Sequence, residues 1–380
     1  MIINKINKIV NSKFLYNLPK IKNVLILDYG TCQFYKSFFG NNVEILKTRG
    51  EEYYIRILIS SFFSWFKYRN FSFGQLYIIN SIKYINPNYI LTFNDLNPFF
   101  LSLKKIFPEK KLILFQSSQR SFITLKGIQE SLKKNKVKKY NVDAIFIWGE
   151  YYKKYFSLFS KAKYYVSGSI KNNMFMNKPV ILKKHISFIS QFRMHNRKPG
   201  FMVDTNEFTK KKILKTLSKF CKVKGIKLYI IGQQSKDYGV RQEELYYSKL
   251  FKDTKFVYYS KKNYLSSYLN SLKLNNFLTF SSSLGLELIS RGKKVSFLKI
   301  QKDRFPKSIY KQYLFNLKNN GKNWTSKTGE KELFKYFNIL TNARDLAFRK
   351  IYNKDFKKYI IYDKKNQKTK NYLKKIGLKI

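Results

Sequence analysis

Short apolar runs of strand length alternate with helix-length segments along almost the whole chain. In the first half these runs are residues 23–28 (NVLILD), 89–93 (YILTF) and 111–115 (KLILF), and helices are predicted over 51–68 and 73–85. Strands that alternate with helices form parallel sheets through right-handed crossovers. The sequence therefore predicts the α/β class, built from Rossmann-like, doubly wound parallel sheets.

The alternation starts again after a linker-like stretch that ends at Lys178 and Pro179. At about 100–200 residues per domain, a chain of 380 residues is long enough for about two domains. We expect two Rossmann-like domains that face a cleft, followed by a tail: an N-terminal acceptor domain over 1–178, a C-terminal donor domain over 179–340, and a helical, lysine-rich tail over 341–380. The tail is expected either to pack back on the first domain or to be a solvated charge run.

The chain carries 76 Lys and Arg against 22 Asp and Glu, a formal net charge of +54. Because 44% of its residues are hydrophobic, it can bury a core, which excludes a disordered basic tail. The charge indicates either an anionic partner or a compositional bias toward lysine. We favour the bias, since the lysines are dispersed over every predicted helix. No nucleic-acid partner is expected, although a basic nucleic-acid-binding protein is an alternative.

Cysteine and histidine are scarce, and this limits metal and redox chemistry. Cys32 and Cys221 lie far apart, and His185 and His195 are the only histidines. No D-x-D, P-loop or G-x-G-x-x-G motif occurs, so we expect no metal and no bound cofactor. The lysines of the first 24 residues interrupt any signal-peptide core, and the widely spaced cysteines fit a reducing compartment. We therefore expect a cytoplasmic protein.

The most informative segment is residues 280–295, FSSSLGLELISRGKKV, in which a strand leads into a helix predicted to begin near Leu284. Ligands of doubly wound sheets bind at the carboxyl ends of strands, and a helix N-terminus attracts phosphate. The alternative is that the serines only cap the helix and the glutamate stabilises its first turn. We favour a phosphate and ribose site, because capping alone requires neither a third serine nor the following Arg-Gly-Lys-Lys. Its candidate residues are Ser281, Ser282, Ser283, Gly285 and Glu287.

Part of this segment, S-x-x-G-x-E-x-x-x-R-G-K-x-V, resembles the carboxyl-domain signature of GT-B-fold glycosyltransferases. The chain resembles more closely the bacterial proteins of surface carbohydrate (lipopolysaccharide O-antigen and capsule) biosynthesis. The segments that carry this resemblance are TFNDLNPFF (92–100), FQSSQRS (115–121), FIWGEYY (146–152), GSIKNN (168–173), ISFISQF (186–192), LYIIGQ (228–233), SSSLGLELISRGKKV (281–295) and GKNWT (321–325).

The resemblance implies sugar transfer from a nucleotide-sugar donor to a lipid-linked or glycan acceptor at the inner face of the cytoplasmic membrane. It also implies that Ser282, Ser283, Gly285 and Glu287 contact the donor phosphates and ribose. A polyol-phosphate transferase and a nucleotide-sugar epimerase on the same fold are alternatives. The first of these would depend on a histidine, His185 or His195, as its base.

Other candidates lie at strand ends, where the scarcity of carboxylates makes each acid informative. Asp95 and Asp28 are the candidate catalytic bases, although Asp95 has an alternative role as the N-cap of the next helix, which we favour slightly. Gln116 and Arg120 are candidate acceptor-binding residues, since a guanidinium group can hold an anion through two hydrogen bonds. The remaining candidate donor contacts are Ser190, Gln191, Arg193 and Gly232.

The segment 53–73, YYIRILISSFFSWFKYRNFSF, is aromatic and basic. It could form a helix on an anionic lipid surface. Because its apolar residues recur at helical spacing, we favour a core helix of the first domain.

Overall fold

In the described part of the chain, two six-stranded sheets, in which every strand pair is parallel, form the framework of the protein. The computed structural model describes residues 12–28, 35, 39–48, 51–120, 126–134, 136–179, 184–192, 207–235, 237–300 and 320–378. The predicted fold class, two Rossmann-like parallel-sheet domains, is confirmed.

The first sheet contains β2 (Val24–Asp28), β3 (Val43–Lys47), β5 (Tyr89–Thr92), β6 (Lys111–Phe115), β7 (Tyr140–Ile147) and β8 (Ser160–Val166). Its spatial order is β3-β2-β5-β6-β7-β8. The chain therefore leaves β2 toward one edge of the sheet and returns to build toward the other edge from β5. This reversal creates a crevice between the carboxyl ends of β2 and β5, where ligands bind in such sheets.

The second sheet contains β9 (His185–Ile189), β10 (Lys227–Ile231), β11 (Phe256–Tyr259), β12 (Asn276–Thr279), β13 (Lys294–Leu298) and β14 (Trp324–Thr325). Its order, β11-β10-β9-β12-β13-β14, places the corresponding reversal between β9 and β12. Two short strands that the sequence did not predict, β1 (Lys13–Leu15) and β4 (Glu52–Tyr54), pair as a separate parallel ribbon.

Helices cover both sheets and bury their apolar strands. Those of the first half are α1 (Ile55–Lys67), α2 (Phe73–Ile85), α3 (Pro98–Ile106), α4 (Lys126–Lys134), α5 (Tyr151–Ser157) and α6 (Ile170–Asn173). Those of the second half are α7 (Glu207–Lys224), α8 (Asp237–Leu250), α9 (Ser266–Ser271), α10 (Ser283–Ser290) and α11 (Glu330–Asn342). The tail contains α12 (Asp345–Ile351), a π-helical turn (Tyr352–Phe356), a 3₁₀ turn (Lys364–Asn366) and α13 (Gln367–Lys375).

The tail returns to the first domain, which is one of the two outcomes expected for it. Its backbone donates from Ile361 N to the Trp148 carbonyl (2.9 Å), and Leu373 is fully buried against the first sheet. Gly168, which lies in the predicted linker, has φ +72° and packs directly against the Ile361 carbonyl. A side chain at position 168 would collide with the tail, so this stretch is a tightly packed junction.

Helix α1 differs from its prediction in both its start and its orientation. The helix predicted over 51–68 begins at Ile55, because Glu52–Tyr54 pairs with β1 instead. The favoured core role is wrong: only Ile57 and Ser61 of α1 are buried, and its large aromatic side chains face outward. Helical spacing showed that α1 is amphipathic but could not show which of its faces meets the protein.

In the part of the chain that the structure describes, no helix combines the length and the apolar character needed to cross a bilayer.

Candidate functional site

A cleft of about 540 Å³ lies between the carboxyl ends of the two sheets. The first sheet contributes the residues after β2, β5 and β6, and the second contributes those after β9, β10 and β12. Both topological reversals therefore open onto one cavity. Its lining includes Asp28, Arg120, Lys171, Ser190, Gln191, Gly232, Lys261, Tyr264, Ser281, Ser282, Ser283 and Glu287.

Gln191 connects the two loops that flank the reversal of the second sheet. Its side-chain oxygen accepts from Ser281 N (2.9 Å), and its Nε2 donates to Ser281 Oγ (3.1 Å). Ser190 accepts from Phe192 N and shares a hydrogen bond with Tyr247. The residues predicted after β9 thus fix the loop that begins α10.

The three serine hydroxyls at the start of α10 are held in place as acceptors. Gln191 donates to Ser281, Leu284 N donates to Ser282 (3.2 Å), and Gln119 N donates to Ser283 (3.2 Å). Ser282 is therefore the N-cap, as the capping alternative anticipated. A hydroxyl that accepts keeps its own O–H as a donor. These oriented hydroxyls, together with the positive end of α10, form a donor-rich wall of the cleft.

Glu287, one turn into α10, is buried at the junction of the two halves. It accepts hydrogen bonds from the hydroxyl of Ser169 in the first half and from Tyr268 OH (2.9 Å to Oε1 and 2.8 Å to Oε2). Burial raises the pKa of Glu287, while Lys171 and these two hydrogen bonds act in the opposite direction. A carboxylate has about four acceptor positions, so Glu287 retains capacity for a ligand hydroxyl.

The two candidate glycines have structural reasons for lacking a side chain. A Cβ at position 285 would lie 2.7 Å from Thr279 Cγ2 and 3.2 Å from Phe297 Cε1. Gly285 therefore lets α10 approach its own sheet, and it does not line the cleft, contrary to the expected approach of a ligand. Gly232 does line the cleft, where a Cβ would lie 2.5 Å from Tyr258 OH.

The Arg-Gly-Lys-Lys stretch, which favoured a phosphate site in the sequence, lies at the opposite end of α10. Arg291 is the C-cap of that helix and donates to Ser271 Oγ (3.1 Å), and Lys293 Nζ donates to the Leu272 carbonyl (3.1 Å). An α-helix rises 1.5 Å per residue, so these cations lie on the order of 12 Å from the start of α10. The prediction that these cations support a phosphate site is therefore wrong.

Two lysines that the sequence analysis missed supply positive charge inside the cleft. Lys171 of α6 donates to Tyr264 OH (2.9 Å), and Lys261 lies over the same ring, 5.5 Å from its centroid. Lys171 also lies over that ring, at 4.6 Å. Burial lowers the pKa of Lys261, and the nearby charge of Lys171 adds to this effect. With 76 basic residues, no sequence signal separated these two from the rest.

Asp95 is fully buried in an ion pair with Arg120. Arg120 Nε donates to Asp95 Oδ2 (2.7 Å), its Nη2 donates to Oδ1, and Ser117 Oγ also donates to Oδ1 (2.8 Å). Burial works against the charge of Arg120, but Asp95 outweighs it and raises the pKa of the guanidinium. Asp95 is not the N-cap that we favoured: Asn97 caps α3, accepting from Phe99 N (3.1 Å).

The other strand-end candidates of the first domain separate into two groups. Asp28, which ends β2, lines the cleft at the reversal of the first sheet. Gln116 does not line it: its amide accepts from Trp148 N (2.8 Å) and donates to the Ser118 carbonyl (2.9 Å). The side chain of Gln116 is therefore committed to holding β6 against β7, contrary to the expected acceptor role.

The histidine candidates give no support to a histidine base. His185 is buried at the start of β9, at the edge of the sheet opposite the cleft, and its Nε2 accepts from Asn275 N (2.9 Å). His195 and Arg193 lie outside the described residues.

A family model described as "putative O-antigen biosynthesis protein" matches residues 113–377, which is more than half of the chain. The search of curated protein sequences found no significant match. The match confirms the predicted resemblance to surface carbohydrate biosynthesis proteins.

Solved structures of similar fold include the wall teichoic acid polymerase TagF, with CDPG (TM-score 0.53, 11% identity, 94% of this chain and 89% of that chain). Two UDP-GlcNAc 2-epimerases are also similar. One is from Methanocaldococcus jannaschii in complex with UDP-GlcNAc and UDP (TM-score 0.51, 12% identity, 93% of this chain and 99% of that chain). The other is from Neisseria meningitidis, bound to UDP-GlcNAc (TM-score 0.50, 14% identity, 93% of this chain and 98% of that chain). The chain spans 61% of the matched chain of the GtfA/B complex. The similarities to TagF and to the two epimerases confirm a GT-B-type fold.

Proposed function

This chain belongs to the O-antigen biosynthesis protein family, and from that premise we propose that it is a glycosyltransferase. It would transfer a sugar from a nucleotide-sugar donor to a lipid-linked or glycan acceptor. The observation that carries the proposal is the start of α10, where three held serine hydroxyls line the same cleft as Lys171 and Lys261. The comparison structures bound to UDP-GlcNAc, UDP or CDPG support a donor of this chemical class.

The donor diphosphate is assigned to the start of α10. The hydroxyls of Ser281–Ser283 and the helix dipole favour negative charge there. Lys171 and Lys261 would offset the charge that develops on the leaving diphosphate, so that the mechanism needs no metal ion. Glu287 would accept from the ribose hydroxyls, with Gly232 and Gln191 on the same wall of the cleft.

The acceptor is assigned to the first domain, and Asp28 to the role of base. Asp95 is saturated by Arg120 and Ser117, so it is better suited to holding Arg120 at the cleft wall than to taking a proton. Asp28 ends β2 at the sheet reversal and faces the cavity. We therefore propose that Asp28 accepts the proton of the attacking acceptor hydroxyl while the sugar–phosphate bond breaks.

The donor assignment is tested by nucleotide binding to variants of the two cleft lysines. Lys171→Met and Lys261→Met each remove a cation but keep the apolar stem. Each should raise the Kd for the cognate nucleoside diphosphate about tenfold or more, the effect expected of one charge-assisted hydrogen bond. The cognate nucleotide comes from a panel of UDP-, GDP-, dTDP- and CMP-sugars, and calorimetry gives the affinities.

Matched controls are Lys222→Met and Lys224→Met, which remove exposed lysines at the end of α7. These should bind the nucleotide as the unmodified protein does. Product analysis separates the alternatives: a donor converted to its epimer without an acceptor would identify an epimerase. The proposal fails if no nucleotide of the panel binds, or if the control and cleft variants lose affinity equally.

A further inference from the structure

Helix α1 presents its largest apolar side chains to solvent. Ile59, Phe62, Phe63 and Phe66 recur at the i, i+3, i+4, i+7 spacing of a single helical face, and Trp65 flanks that face. These five side chains are between 44% and 68% exposed. Soluble proteins rarely leave such a contiguous aromatic face uncovered, so the face marks an interaction site.

The opposite face of α1 carries Ile57 and two serines, and it is fixed to the protein. Ser61 and Ser64 both accept from Asn80 Nδ2 of α2, at 3.1 and 3.2 Å. Ser61 also donates to the Ile57 carbonyl (2.6 Å). Turning α1 over would break the two hydrogen bonds to Asn80 and bury aromatic rings where two small serines now fit. The outward direction of the aromatic face is therefore built into the fold.

Basic residues border this face, and no acidic residue occurs within α1 or in the sequence that follows it as far as Asn94. Arg56 and Lys67 lie on α1, and Arg69 follows it. Between residues 53 and 94 the chain contains no Asp or Glu. Aromatic side chains bordered by cations are typical of helices that lie in the headgroup region of anionic bilayers. At 13 residues α1 is on the order of 20 Å long, too short to cross a bilayer.

The chain topology directs the end of α1 toward the edge of the sheet on which the cleft opens. The chain enters α1 near the amino end of β3, where Tyr54 OH donates to Glu44 (3.0 Å). Helix α2 ends at Ile85, and only three residues separate it from the start of β5, so the turn between α1 and α2 lies at the carboxyl edge. Phe66, Lys67 and Arg69 thus stand on the cleft side of the first domain.

We propose that α1 docks the protein on an anionic phospholipid bilayer, lying in the plane of the interface with its aromatic face in the headgroup region. This contact turns the open end of the cleft toward the membrane, where a lipid-linked substrate would be reached by diffusion in two dimensions. Docking requires only the surface of α1 and does not require sugar transfer, so the two proposals can fail separately.

Binding to vesicles tests the proposal. The protein should co-sediment with vesicles of phosphatidylcholine and phosphatidylglycerol, and weakly with phosphatidylcholine alone. Phe62→Ser, Phe63→Ser and Phe66→Ser combined should weaken binding roughly tenfold or more, since three aromatic side chains no longer enter the bilayer. Arg56→Gln, Lys67→Gln and Arg69→Gln combined should remove the preference for the anionic lipid.

Tryptophan fluorescence reports on the same contact directly. Of the three tryptophans, Trp148 and Trp324 are buried and only Trp65 is exposed. Anionic vesicles should shift the emission to shorter wavelength, and Trp65→Phe should abolish the shift while binding persists.

The matched control replaces Phe208, Leu245 and Leu346 by serine, three exposed apolar residues outside α1. It should bind vesicles as the unmodified protein does. The proposal is overturned if the unmodified protein does not bind anionic vesicles, or if the control and α1 variants lose binding equally. It is also overturned if the α1 aromatic variant converts a dimer to a monomer in sedimentation velocity without changing vesicle binding.

Discussion

Replacing Asp95 with alanine should lower the free energy of unfolding by about 3–5 kcal/mol, because it leaves a buried arginine without its partner. The Asp95 side chain is fully buried, and that of Arg120 is 14% exposed. Two guanidinium nitrogens and the Ser117 hydroxyl would lose their acceptor together. Urea unfolding, followed by both fluorescence and circular dichroism, measures the change.

Two further variants show whether the loss of stability comes from the unpaired charge of Arg120. The double variant Asp95→Ala, Arg120→Met should recover much of the stability, since no unpaired charge then remains. Lys219→Ala breaks an exposed ion pair with Glu330 and should change stability by no more than about 1 kcal/mol. If the Asp95 variant and the Lys219 control are equally stable, the buried Asp95–Arg120 ion pair does not stabilise the fold as proposed.

Replacing Asp28 with asparagine should reduce turnover about 10²- to 10⁴-fold, the range for removal of a general base. Asparagine has nearly the same shape but cannot take a proton at neutral pH. Donor affinity should change little, because Asp28 lies across the cleft from the start of α10. Nucleotide release with saturating donor and acceptor gives the rate, and calorimetry gives the donor affinity.

A second set of measurements separates catalysis from damage to the fold. Asp28→Asn should unfold at the same urea concentration as the unmodified protein, to within the effect of one hydrogen bond. If the Asp28→Asn variant keeps activity within a few-fold of that of the unmodified protein, Asp28 is not the base. Equal losses of donor affinity and turnover would place Asp28 in donor binding instead.

The sheets could be predicted from the sequence because each buried strand is a nearly continuous apolar run. NVLILD and KLILF contain their strands almost to the residue. Parallel strands place their carboxyl ends at one edge, so the polar residues after β9 and β12 could be expected to meet. Gln191 and Ser281, 90 residues apart, do meet there.

The pairings within the site could not be predicted, because they depend on which side chains face each other across distant segments. Asp95 follows a strand as a base would, but only the fold brings Arg120 onto it. Ser169 and Glu287 are 118 residues apart and share no pattern in the sequence. Lys171 and Lys261 come from opposite halves of the chain and both contact Tyr264. Composition alone could not distinguish these two lysines from the others.

Helix α1 shows a different limit. The helical spacing of its apolar residues and its aromatic character were both evident in the sequence. The decisive contact is Asn80 with the two serines, which turns the polar stripe inward. Hydrophobicity alone favours the reverse orientation, so the sequence pointed to the wrong face.

The central claim is that the start of α10 holds the diphosphate of a nucleotide-sugar donor. A crystal structure of the protein soaked with UDP, GDP or CDP tests this most directly. We expect phosphate oxygens within about 2.7–3.2 Å of donors on Ser281–Ser283, with Lys171 or Lys261 on the same phosphates. A nucleotide bound outside the cleft, or in the cleft with its diphosphate away from α10, would contradict the account.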